Sequence, residues 1–188
     1  MRRFLIAGTL LGGVLLFVLN WFAAAVLPPR YKQFMNAGAV VEAVRSNTTS
    51  NDIYAAPQGL FVAVSLRPVQ SSDSPNIGAR IIRQCLIEFF VAFGLSLLLL
   101  ATAVRSTFFA AGFLGLAGLI AGVETHFSNW NWSGFPTSYV LAGSGYLFAT
   151  WFVVGLALGT IRRKFVPQAN LERASGYLAM PDNPRSSR

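Results

Sequence analysis

Four apolar stretches, at residues 4–27, 84–104, 107–123 and 139–161, set the terms for this chain. A helix needs roughly 20 apolar residues to cross the ~30 Å hydrocarbon core of a bilayer. Within lipid no water satisfies backbone N–H and C=O groups, so each spanning stretch must close its own hydrogen bonds as a helix. The pattern predicts an all-α membrane protein, a four-helix transmembrane bundle with a small external α+β segment between helices one and two. Composition agrees: 54% of the chain is hydrophobic and only 12% is charged, about half the usual charged share of a soluble domain.

Pro28 and Pro29 stop the first stretch, because proline cannot continue a helix. A cleaved signal peptide is the rival reading, with Arg2 and Arg3 as its charged start and Ala23, Ala24 and Ala25 as its cleavage site. The apolar run is longer than a signal peptide requires, and Asn20 and Trp21 suit an interfacial anchor. Only Arg105 and Ser106 separate the second and third stretches, so the two are expected to form a tight antiparallel hairpin.

The net charge is +8, yet the basic residues cluster at the ends of the apolar stretches. That placement fits lipid phosphates and orientation, and nucleic acid is excluded as a partner. With both termini inside, Arg2, Arg3, Arg105, Arg162, Arg163, Lys164, Arg173, Arg185 and Arg188 are cytoplasmic. Arg30, Lys32, Arg45, Arg67, Arg80 and Arg83 are external, giving nine basic residues against six. The expected location is a bacterial inner membrane, multi-pass, with N- and C-termini cytoplasmic.

Two domains follow: a four-span unit at 1–164, including the external segment 30–83, and a partly disordered cytoplasmic tail at 165–188. Within the external segment, Phe34, Val41 and Val44 stand at helical spacing and predict a helix over residues 32–46. IYAAP and LFVAVSLRPV, separated by Pro57-Gln58-Gly59, predict a small β-hairpin. Asn47-Thr48-Thr49 is formally a glycosylation sequon and carries no meaning in a bacterial protein. In the tail, residues 170–180 suggest one or two helical turns, and the last seven residues are expected to be disordered.

No catalytic constellation is visible, and no enzyme activity and no cofactor are expected. The chain has one His and one Cys, Cys85, so neither a disulfide nor a cysteine metal site can form within it. GTLLGG and AGSGY lie inside apolar spans and lack the strand that a nucleotide-binding turn requires. Nor is there an array of intramembrane acids. The one acid well inside a span is Glu88, for which Arg80, Arg83 or His126 would serve as a pairing partner.

ETHFSNWNWSGFP, at 124–136, reads as an interfacial belt, because Trp and Tyr rings are amphipathic. This places Trp130 and Trp132 in an external connection. The alternative is a ligand pocket at the outer helix ends, lined by Glu88, Glu124, His126 and Trp130. Small residues recur at close spacing: Gly8 and Gly12; Ala111, Gly115, Gly118 and Gly122; Gly155 and Gly159. Such faces let helix backbones approach, and they are read as packing positions. Phe4, Phe17, Phe22, Phe89, Phe90, Phe93, Phe108, Phe109, Phe113, Phe148 and Phe152 are read as outward, lipid- or pigment-facing aromatic bulk.

NWFAAAVLPPRYKQF, NDIYAAP and NWNWSGFPTSYVLAGSGYLFATWFVVGLALG, in that order, resemble a set of small uncharacterised bacterial inner-membrane proteins. That set shares a Trp-x-x-x-x-x-Leu-Pro end to helix one, a Gly-x-Tyr-x-x-Pro external motif and an Asn-Trp-x-Gly-Phe-Pro start to the last helix. Here Asp52-Ile53 replaces the Gly before Tyr54. The resemblance implies topology and a bacterial inner membrane, and it implies no activity. The functional expectation is therefore a non-catalytic accessory or structural subunit. Its partners would be the lipid bilayer and other membrane-protein subunits, with a respiratory or photosynthetic complex as one possibility. The alternative is a small-molecule or lipid-binding or transport protein.

Overall fold

A computed structural model describes residues 1–26, 34–50, 53–55, 61–64, 77–102, 104 and 106–166. Helix α1 covers Arg2–Val26, α2 Ala37–Asn47, α3 Ile77–Ala101, α4 Thr107–Ser133 and α5 Thr137–Phe165. Strands β1, Ile53–Ala55, and β2, Phe61–Ala63, pair antiparallel with Tyr54 opposite Val62. Four of the helices, α1, α3, α4 and α5, are long and apolar enough to span a membrane. Between 28% and 33% of each apolar window is buried against the rest of the chain, so most of that surface faces outward and suits lipid.

The helix ends follow from local chemistry. Ser106 accepts a hydrogen bond from Phe109 N at 3.0 Å and caps α4. Asn36 does the same for α2 through Ala39 N, also at 3.0 Å, so this helix starts five residues later than its apolar spacing predicts. Ser46, Asn47 and Thr48 close α2 by donating to carbonyls of its last turns. The predicted turn at 57–59, the rest of the predicted second strand, the turns expected at 170–180 and the final stretch expected to be disordered lie outside the described residues.

The spans are longer than the apolar stretches. At 1.5 Å per residue, the 27 residues of α4 and 29 of α5 measure about 40 and 44 Å, more than a ~30 Å core requires. Trp130 and Trp132 thus lie in the last turns of α4, with Glu124 and His126 before them, rather than in an external connection. It ends at Gly134, whose φ of 65° lies in the left-handed region and whose N–H reaches Asn129 O. Only Gly134, Phe135 and Pro136 join α4 to α5.

The expected hairpin of the second and third stretches is not formed. α4 pairs with α5 along its length, α3 packs on α1, and α1 also meets α5. Close backbone contacts therefore run in the order α3, α1, α5, α4, a row with the sequence neighbours α3 and α4 at its two ends. The physical reason is the placement of small residues. A Cβ on Gly118 would fall 2.6 Å from Leu147 O, one on Gly122 2.7 Å from Ser144 Cα, and one on Gly155 2.6 Å from Ala111 Cα. Gly115 lies against Phe148 and Phe152, and Gly159 against Ala110 and Thr107. Gly8 faces Ser96 and Leu158, and Gly12 faces Ala92 and Leu158. The smooth face of α4 meets α5, and that of α1 meets α3 and α5, so these are the close backbone pairings.

Phe4 is fully buried, in one cluster with Leu99, Leu158 and Val166, and so is core rather than outward-facing bulk. Phe22, Phe90, Phe93, Phe108, Phe109 and Phe148 are exposed. Below, the side of the row from which α2, β1 and β2 arise is the hairpin side, and the opposite side is the terminal side.

Candidate functional site

Three helices bring polar side chains together in the hairpin-side half of the row. Glu88 of α3 is 4% exposed. Its Oε1 accepts from Asn20 Nδ2 of α1 at 2.5 Å and from Gln84 Nε2, one turn earlier on α3, at 2.5 Å. Tyr146 of α5 donates its hydroxyl proton to Asn20 Oδ1. That bond turns the Asn20 amide so that its NH2 faces the carboxyl group. Glu88 lies 11 residues inside α3 and Tyr146 nine inside α5, about 16 and 14 Å from the helix starts.

Burial of an acid at membrane depth is costly unless donors replace water, and two amide donors do so here. They are neutral. Among the described residues no ion pair reaches Glu88, so the expected pairing with Arg80, Arg83 or His126 is replaced by amide bonds. Helical phase explains this. Gln84 stands four residues before Glu88 and shares its face, whereas Arg83 is five before it and turned well away. Arg83 Nε instead donates to Ala79 O at 3.2 Å, and both Arg80 and Arg83 are exposed.

The remaining residues of the expected pocket lie elsewhere. His126 of α4 packs on Gly143 of α5, where an added Cβ would fall 2.6 Å from its Nε2. Its ring meets Tyr139 edge-on at 6.0 Å, and Tyr139 meets Phe135 at 5.4 Å. Trp130 Nε1 donates to Thr137 Oγ1 at 3.1 Å across the α4–α5 connection. Glu124 is exposed, and Trp132 is 85% exposed. His126 and Trp130 thus staple the ends of α4 and α5 together. Glu88 belongs to the α1 and α3 side of α5, and His126 to its α4 side.

At the terminal side a second polar group is buried. Arg162 of α5 is 4% exposed, while its neighbours Arg163 and Lys164 are exposed. Its guanidinium donates through Nη2 to Thr102 O at 2.7 Å and through Nη1 to Val104 O, while Nε has no partner. Position explains the split: Arg162 follows Gly155, Leu158 and Gly159 at helical spacing and extends their buried face. The charge meets the free carbonyls after the last turn of α3, where a cation is favoured.

Reading the sequence missed Asn20, Gln84 and Tyr146 as partners of Glu88, and Arg162 as a buried group. A signal existed for the first set. A polar residue at similar depth in each of three spans, one of them at i−4 from the acid, marks a shared contact. In comparisons with known proteins, no family model, no curated protein and no solved structure matches this chain.

Proposed function

We propose that this chain is a non-catalytic integral membrane protein that serves as an accessory or structural subunit of a larger membrane assembly. The observation behind this reading is the pair of helices at the two ends of the row. Close backbone packing joins α3 chiefly to α1 and α4 chiefly to α5, and both α3 and α4 carry glycines with open space beside them. A Cβ on Gly94 of α3 or Gly112 of α4 would meet nothing within 4 Å, and the same holds for Gly145 of α5. Glycine costs a helix about 1 kcal/mol relative to alanine. On a lipid-facing edge that cost returns nothing, whereas against another protein helix it permits close backbone approach. Phe90, Phe108 and Phe109 flank these glycines as bulky, exposed contact groups.

The setting that accords with the arginine distribution is a bacterial cytoplasmic membrane with both termini cytoplasmic. A respiratory or photosynthetic complex is the class of host that such a small subunit would join. Gentle solubilisation followed by native-gel mass analysis tests the reading. Co-migration with a larger assembly is expected, and a lone monomer at all detergent strengths would overturn it. For orientation, a cytoplasm-dependent reporter fused after Arg188 should be active and one fused after Ser72 silent.

A further inference from the structure

We propose that the terminal side of the α1–α5 contact is a binding site for an anionic phospholipid, whose phosphate is held by Arg2, Arg3, Arg163 and Lys164. The site does not depend on association with a larger assembly. Only the tertiary structure brings these four together. Asn20 is bonded to Tyr146, and Gly8 lies against Leu158, twelve residues away along each helix. α1 and α5 therefore run antiparallel in one register. Carried six residues further, that register sets Arg2 level with Lys164 and Arg3 level with Arg163. Phe4 falls level with Arg162; both are buried and close the floor beneath the four cations.

All four side chains are exposed. Unlike Arg162, none of them makes an ion pair or a side-chain hydrogen bond with a described residue. The described acids, Glu42, Glu88 and Glu124, stand on or toward the hairpin side, so no carboxylate of a described residue offsets the charge here. Like charges held at one level repel one another, and an external anion relieves that repulsion.

The adjoining surface selects the kind of anion. Arg2, Ile6 and Leu10 follow one another at i, i+4 spacing on one face of α1, and Ile6 and Leu10 are 53% and 56% exposed. An apolar track thus leads from the cations along a helix able to span a membrane. It fits an acyl chain, with the headgroup phosphate at its end among the cations. Arginine forks grip phosphate oxygens in pairs, and Lys164 adds a mobile point charge. A zwitterionic headgroup brings its own ammonium group, which offsets the attraction. Inorganic phosphate or nucleic acid would use the charges and leave the track empty.

Native mass spectrometry of the full-length chain in a mild non-ionic detergent tests this, with phosphatidylglycerol and phosphatidylcholine of matched acyl chains as probes. Phosphatidylglycerol is expected to be retained in preference to phosphatidylcholine. Each cation at a membrane surface contributes roughly fivefold in affinity, so Arg2→Gln with Lys164→Gln should weaken phosphatidylglycerol binding on the order of 25-fold. Arg80→Gln with Arg83→Gln, at exposed cations of the hairpin side, should leave it unchanged. Equal retention of the two lipids, or equal weakening by the two double variants, would overturn the proposal. Displacement of the lipid by excess inorganic phosphate would overturn it in favour of a free anion, and displacement by an RNA oligonucleotide in favour of nucleic acid. The preference between lipids is measured on the unaltered chain, so the test stands even where a variant does not fold.

Discussion

Glu88 and Arg162 are buried to the same degree, 4% exposed each, one in the hairpin-side half and one at the terminal side, and they are stabilised in different ways. Glu88 is bound by side-chain amides from α1 and its own helix, with Tyr146 of α5 one bond further away. Arg162 is bound by backbone carbonyls from the connection after α3. Neither has a counterion among the described residues. An acid must import donors, and these come from side chains because the N–H groups inside a helix are already used. A base can use the carbonyls that every helix end leaves free. The acid therefore ties three spans together by side-chain choice, whereas the arginine clamps a chain reversal and holds the end of α3 near α5.

The largest effect is expected from Arg162→Met. Two charge-assisted bonds at roughly 1.5–3 kcal/mol each disappear, so the variant should lose about 3–6 kcal/mol of stability. Thermal unfolding in mild detergent measures this, and a loss under about 1 kcal/mol would mean that water replaces the guanidinium and the clamp is superficial.

Glu88→Leu strands two amide donors and should cost about 2–4 kcal/mol, whereas Glu88→Gln keeps an acceptor oxygen and should cost about 1 kcal/mol or less. Equal losses for the two would show that the charge itself is paired, which would erase the contrast with Arg162. Gly118→Leu is the control between the ends. Its new side chain meets the backbone oxygen of Leu147, which cannot yield, so about 1–3 kcal/mol is expected; Gly112→Leu, with open space around it, should stay within about 0.5 kcal/mol. Equal effects at the two glycines would mean that α4 presents its other face to α5.

The smallest effect belongs to His126→Ala. It removes an edge-on ring contact with Tyr139 worth about 0.5–1 kcal/mol and should leave complex association unchanged. Loss of association in this variant would move functional weight from the Glu88 side of α5 to its α4 side.

Four helices able to span a membrane were legible in the sequence, because hydropathy acts residue by residue and needs no knowledge of neighbours. The small-residue spacings were legible too, since Gly and Ala at i+3 and i+4 share a face whatever they touch. The length of α4 was not. Polarity suggested a stop near residue 123, but a helix can leave the apolar zone and continue until a left-handed residue such as Gly134 ends it. Which helix each face meets was decided only in three dimensions. α3 and α4 are adjacent in sequence yet make little close backbone contact, because their small-residue partners lie on α1 and α5. The partners of Glu88 and the burial of Arg162 depend on that same choice. Residues 68 and 58 positions distant supply their bonds, and no local pattern carries information over such separations.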